Sequence, residues 1–302
     1  MSEINRTVDS IILGHNPFFG VDHLSQERGN EKAKKFEDIS EVTQILHHCH
    51  DLGVRGMMMS THPRATAICE SFRNDTKLSQ WRAYPLVPYI QKYVRGSNEK
   101  GLVNLVIDTL GQATMGQKLS MIFRGGVGFL AKDVKQALTL LIDVELLPFK
   151  GVNMGAVFLH DTLTDLALGL GLHPLLDLFR DHVEKTYGVQ AGFVTKNLPM
   201  LRRALEARGW RNPLIMASFN SIGFYVNPSL EEVSGSLKQP GVNLVAMNTL
   251  ASGKLNPEKA YKFLSPYSTV KSVVVGVSRK ESATQTINAI KAHMPQARHG
   301  DG

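Results

Sequence analysis

Short apolar runs recur along the chain, and each is followed by a stretch with helical spacing. The runs are Ser10–Leu13, Val54–Met59, Ala83–Ile90, Val152–Leu159, Val189–Val194, Leu214–Phe219, Val242–Met247 and Val270–Val275. Their apolarity is continuous rather than alternating, which marks strands buried on both faces, as in a parallel sheet covered by helices. Helix starts are signalled between them. Asp38 with Glu41 predicts a capping box, and Gly53 ends that helix. Asn197 with Pro199 opens a helix over Met200–Ala207, and Asn227–Pro228 and Asn256–Pro257 open two more. Eight strand–helix units favour a closed α/β barrel, a single (β/α)8 TIM barrel over residues 1–294.

One unit breaks the rhythm. The stretch between the third and fourth strands runs to about 60 residues, where a helix and two loops need roughly half that. This extended segment contains Met121-Ile-Phe-Arg-Gly-Gly-Val-Gly-Phe, too glycine-rich for a regular helix. Two readings stand for residues 116–131: a lid over the barrel mouth, or an excursion packed on the outer helices. Residues 295–302 read as a flexible tail.

Composition narrows the partners. The net charge is +7 over 302 residues, but the basic side chains are scattered, and the densest run, Glu31–Glu37, carries its own acids. This points to a small-molecule substrate rather than nucleic acid. Cys49 and Cys69 fall in helical stretches without metal-ligand spacing and read as small core residues in a reducing compartment. The N-terminus lacks a signal-peptide core. The most apolar stretch, Leu163–Phe179, is broken by Asp165, His173, Pro174 and Asp177. No membrane span is expected, and the protein reads as cytoplasmic. Oligomeric state is not legible.

Chemistry in such a barrel sits where the strands end. His15, His62 and His160 follow the first, second and fourth strands, Tyr89 the third, and Lys196 the fifth. Three imidazoles on one mouth could supply an acid and a base, or hold a metal with an open position, although no acidic motif supports a metal. Each also has a structural reading: His15 and His62 as helix-entry residues, Lys196 as an outward-facing side chain. Lys196 could alternatively anchor an anion or form a Schiff base. His47, His48 and His50 do not share a helix face and read as packing residues.

Four segments, between Val152 and Ile290, resemble the aldo-keto reductases. Ala156-Val-Phe-Leu-His-Asp is similar to the strand delivering that family's active-site histidine, and Gly192-Phe-Val-Thr-Lys-Asn to its fifth-strand loop. Ala246-Met-Asn-Thr-Leu-Ala-Ser-Gly-Lys resembles the segment along the nicotinamide and pyrophosphate. Val273-Val-Val-Gly-Val-Ser-Arg-Lys-Glu resembles the loop around the adenosine phosphate. The resemblance implies an NAD(P)-linked oxidoreductase, using NADP or NAD, that acts on a small carbonyl or hydroxyl compound. It implies cofactor contacts from Asn197, Ser218, Asn220, Met247, Asn248, Leu250, Ser252, Gly276, Ser278, Arg279 and Lys280. Physics supports the last group, because Gly276–Lys280 leads into a helix whose first-turn N–H groups attract anions.

The first half departs from the family. There an Asp and a Tyr follow the second strand and a Lys ends the third, the Tyr donating a proton to the carbonyl oxygen. Here the second strand ends Met-Met-Met-Ser-Thr-His-Pro and the third Leu-Val-Pro-Tyr-Ile, so only His160 of the usual four is found. Tyr89 is the candidate replacement phenol. Two other functions stay open: a cofactor-independent lyase or isomerase, with or without a metal, using the histidines and Lys196, and a non-catalytic nucleotide-binding protein.

Overall fold

Parallel pairing runs around a closed ring in the computed structural model, which describes residues 7–22, 24–89 and 132–294. The strands are β1 (Ile11–Gly14), β2 (Gly56–Ser60), β3 (Arg82–Val87), β4 in two pieces (Asn153–Met154 and Ala156–Leu159), β5 (Gln190–Val194), β6 (Leu214–Ser218), β7 (Asn243–Met247) and β8 (Val270–Val275). Each pairs with the next in sequence, and β8 returns to β1 with Ile12 opposite Val274. Eight parallel positions thus form a closed barrel, at the places where the apolar runs predict strands. The lid-or-excursion segment (116–131) and the tail (295–302) lie outside the described residues.

Side chains alternate across the barrel wall, as strand geometry requires. Ile12, Met58, Tyr84, Ala156, Phe158, Val194, Leu214, Met216 and Val245 pack together inside the barrel. The intervening residues, Met57 and Met59 among them, join the larger core between strands and helices. The inner core explains why β4 is broken. A Cβ on Gly155 would lie 2.3 Å from Cζ of Tyr84, so that position tolerates no side chain.

The helices are α1 (Gln26–Lys35), α2 (Ile39–Asp51), α3 (Pro63–Asn74), α4 (Lys132–Leu146), α5 (Asp161–Gly169), α6 (Pro174–Tyr187), α7 (Leu198–Ala207), α8 (Leu230–Lys238), α9 (Pro257–Leu264) and α10 (Lys280–His293). Two of the four caps are those the sequence predicts. Asn197 accepts from the Met200 N–H at 3.1 Å and Asn256 from that of Glu258 at 2.9 Å. Two differ. Asp38 accepts from Ser40 N–H at 2.8 Å, not through a box with Glu41. Helix α8 starts at Leu230 behind Ser229, whose hydroxyl takes the Glu232 N–H at 3.1 Å; a serine followed by two acids outcompetes the Asn227–Pro228 signal. Helix α1 lacks an apolar stripe and is unanticipated from its spacing. His47 contacts Asp75 at 2.7 Å, His48 contacts Thr284 at 2.8 Å, and His50 accepts from the Trp81 indole at 3.3 Å, so all three are packing residues. Among the described residues no helix is long and apolar enough to cross a membrane.

Candidate active site

Every strand of a parallel barrel points its C-terminal end to one face, so the β1, β2, β3, β4 and β5 loops share a mouth. On the β1–β3 side four rings form a continuous run. His15 lies 4.8 Å from Phe19, Phe19 stacks on His62 at 4.4 Å, and His62 meets Tyr89 edge-on at 5.9 Å. The inward-facing hydroxyl of Ser60, 3% exposed at the end of β2, sits 3.4 Å from His15 Nε2. His62 caps α3, its Nδ1 accepting from Arg64 N–H at 3.2 Å. Burial, reinforced by the Arg64 charge, holds the His62 imidazole below its ordinary value of 6.5. It is therefore a neutral ring at pH 7 with hydrogen on Nε2.

An acid stands here that sequence reading did not find. Glu145, near the end of α4, is 1% exposed; its Oε2 accepts from the Thr61 hydroxyl and from Tyr89 N–H at 2.7 Å. It ties the β2 and β3 loops together. The only signal in the sequence is a pair of acids, Asp143 and Glu145, inside the apolar stretch Leu140–Leu147, which cannot say what either reaches.

On the β4–β5 side, His160 keeps the inward parity of Ala156 and Phe158, and its side chain is 26% exposed. Its N–H donates to Val87 O at 2.8 Å, anchoring the loop to β3. Two groups approach its Nδ1: Asp161 Oδ1 at 2.7 Å and Thr162 N at 3.2 Å. A nitrogen cannot donate to one and accept from the other. The carboxylate contact is shorter and charge-assisted, and Thr162 N–H has its own acceptor in Asp161 Oδ1 at 2.9 Å. The hydrogen therefore belongs on Nδ1, and among the described residues no side chain pairs with Nε2. Burial works to raise the Asp161 carboxyl, but the His160 hydrogen bond and the His160 and Lys196 charges outweigh it, and the net shift is downward. Asp161 is a carboxylate at neutral pH.

Lys196 Nζ lies 3.5 Å from Asp161 Oδ2 with the side chain 70% exposed, so it points to solvent at the rim. Its backbone N–H donates to Asp165 Oδ2 at 3.0 Å, and Thr195 donates to Asp165 Oδ1 at 2.5 Å. Burial raises Asp165 despite those bonds. The sequence places Asp161 and Asp165 one helical turn apart beside His160, a spacing that would have flagged both.

Around the β6–β8 side the implied cofactor residues divide. Asn197 is occupied as the α7 cap. Asn220 spends both amide hydrogens on the Phe224 and Asn248 carbonyls (2.8 and 3.2 Å), and its oxygen accepts from Phe224 N–H. It is a loop clamp. Asn248 holds a φ of 55° and donates to Ser218 Oγ at 2.8 Å, while Met247, half-buried, borders the inner core. Leu250 packs on the outer core, and Ala251 and Ser252 also have positive φ. Three non-glycine residues in left-handed backbone within five positions mark a loop held for shape. Gly276 approaches the β1 loop so closely that a Cβ would sit 3.1 Å from Pro17 Cγ. Arg279 is the first residue before α10, which has no side-chain cap; Lys35 Nζ donates to Ser278 O at 2.7 Å. Ser278 does not cap this helix. Arg279 and Lys280 are exposed beside uncapped N–H groups, a donor set suited to a phosphate.

His15, His62 and His160 do not gather as metal ligands, and no three-residue metal cluster exists among the described residues. A cleft of ≈ 520 Å³ opens at the other end of the barrel, by Val8, Leu214, Asn243 and Val270. Those are strand starts, away from the catalytic face of such barrels.

Solved structures with this barrel fold exist. A putative aldo-keto reductase from Pseudomonas aeruginosa superposes with a TM-score of 0.58 at 13% identity, over 95% of this chain and 92% of that one. The fold is that of the aldo-keto reductases. A second putative aldo-keto reductase structure from that organism gives 0.58 at 14% identity over 94% and 90%. An aldo-keto reductase from a Medee basin deep-sea metagenome library gives 0.53 at 10% over 97% and 91%. No protein-family profile and no curated protein matches the sequence.

Proposed function

We propose that the protein is an NAD(P)-linked oxidoreductase interconverting a small carbonyl compound and its alcohol, with His160 exchanging the proton. The observation that carries this reading is His160 itself, inward-facing at the end of β4 in a barrel with the aldo-keto reductase fold, its Nδ1 held by Asp161. A bound nicotinamide dinucleotide supplies or accepts the hydride. In this reading Met247, Asn248 and Ser218 would meet its nicotinamide end. Ser252 and the positive-φ loop serve the pyrophosphate, and Gly276, Ser278, Arg279 and Lys280 with the α10 N-terminus the adenosine phosphate. Arg279 favours NADP through a second charge near the ribose phosphate. We assign no chemistry to His15, His62 or Tyr89 beyond lining the substrate pocket with rings.

Other readings draw less support. A Schiff-base lysine needs a desolvated environment, whereas Lys196 is 70% exposed. A metal-assisted lyase lacks a ligand cluster among the described residues. A panel of small aldehydes, ketones and alcohols, assayed with each cofactor, tests the proposal. Wild type should turn over, and His160→Asn should lose about 10²–10⁴ in kcat with cofactor affinity kept. Tight cofactor binding without turnover on any compound would leave a nucleotide-binding protein instead.

A further inference from the structure

No tyrosine follows β2, where aldo-keto reductases carry the phenol that gives up a proton, and two histidines stand in matched posts at the mouth. His62 and His160 each precede the first turn of the helix after their strand, each with Nδ1 3.2 Å from the N–H two residues on. They differ in one neighbour. Asp161 puts a carboxylate 2.7 Å from His160 Nδ1, whereas His62 is followed by Pro63. His62 Nδ1 therefore carries no hydrogen and accepts from Arg64 N–H, whereas His160 Nδ1 carries one.

We infer that Asp161 is a positioning residue that locks hydrogen on His160 Nδ1, so that His160 exchanges its catalytic proton at Nε2 only as an imidazolium–imidazole couple, in the role the family gives to the tyrosine after β2. This rests on the carbonyl-reductase reading. A neutral His160 in this tautomer presents a lone pair to the mouth and cannot merely orient a carbonyl by donating to it. In the reducing direction a bound reduced nicotinamide would supply the hydride to the carbonyl carbon, itself becoming oxidised. The Nε2–H bond of the imidazolium breaks, an O–H bond forms on substrate, and neutral imidazole remains. In the oxidising direction Nε2 takes that proton back. Asp161 stays ionised throughout, its Oδ1 on the ring and its Oδ2 3.5 Å from Lys196, while Asp165, one turn on, is engaged by Thr195 and the Lys196 N–H. Carboxylate anchoring of an imidazole fixes its tautomer in this way.

Long-range 1H–15N NMR of histidine-labelled protein tests this without any substrate. Each ring nitrogen reports whether it carries hydrogen, and His160→Asn and His62→Asn spectra assign the two rings. At a pH where both rings are neutral, His160 should be protonated on Nδ1 and His62 on Nε2. In Asp161→Ala the freed Nδ1 should accept from Thr162 N–H and the His160 tautomer should flip. In Asp161→Asn the charge is gone and the amide N–H can donate to Nδ1, so kcat on an accepted carbonyl should fall about 10²–10⁴-fold with KM little changed. Hydrogen on Nε2 of His160 in the wild-type protein overturns the inference, and so does full kcat in Asp161→Asn. Wild type alone decides the first point should Asp161→Ala not fold. Failure of every carbonyl substrate would sink the proposed function and leave the tautomer result standing.

Discussion

Tyr84 and Asp9 bond each other twice inside the barrel floor: the phenol donates to Asp9 Oδ2 at 2.5 Å, and Asp9 N–H donates to the phenol oxygen at 2.8 Å. Both residues are buried, Arg82 meets the other carboxylate oxygen at 2.5 Å, and Ser272 donates to Asp9 O at 2.6 Å. Burial, then the Asp9 charge, keeps the phenol protonated far up the pH scale. This network closes the end of the barrel opposite His160.

Removing the hydroxyl leaves a buried N–H and a carboxylate oxygen short of partners. Tyr84→Phe should therefore lower stability by about 1–3 kcal/mol. Gly155→Ala, which drives a methyl into the same ring, should cost about 1–3 kcal/mol or more. Urea unfolding measures both, and a wild-type midpoint for either would show that the floor is not a rigid plug.

Glu145→Ala should behave similarly at the mouth, because Thr61 and Tyr89 lose a buried acceptor. The expected loss is about 1–3 kcal/mol in the same assay. An unchanged midpoint would mean that the β2 and β3 loops hold themselves.

Stability should fall as pH drops below the ordinary histidine range. Burial lowers His50, His62 and His173, with neighbouring cations adding to it, so the unfolded chain binds protons that the folded chain refuses. Their contribution is complete above 6.5, the unfolded value, and is lost as pH falls through the lower folded values. Asp22, lowered to about 2 chiefly by its hydrogen bond to Lys32, does not titrate in that window. The denaturant midpoint should decrease from about pH 7.5 to about pH 5.5; a flat or rising midpoint would contradict the assignment of neutral buried rings.

How much of this was legible beforehand varies by scale. Strand positions come from local apolarity, and all eight runs hold a strand because a doubly covered parallel strand needs nothing but apolar residues. Gly155, in the fourth run, could not be read as a break, since Tyr84 lies 71 positions earlier and its inward turn is a tertiary fact. The histidines were found because strand ends in a barrel converge by topology. Glu145 was not, because a helix interior offers no clue to which loop its side chain meets. Asn220 shows the reverse error: its place after β6 suits a cofactor, but its amide is consumed by Phe224 and Asn248.

Lys196→Met separates an anchor at the rim from a chemical role. An exposed pair at 3.5 Å is worth about 0–1 kcal/mol, so kcat should change by less than about fivefold. A hundredfold loss, or trapping of a carbonyl adduct by borohydride, would put the lysine in the chemistry.

Cofactor binding is the most direct test of the account. Purified protein titrated with NADPH and NADH, followed by nicotinamide fluorescence, should show saturable micromolar binding that weakens for NADPH in Arg279→Ala. No binding up to millimolar cofactor would contradict the redox reading altogether.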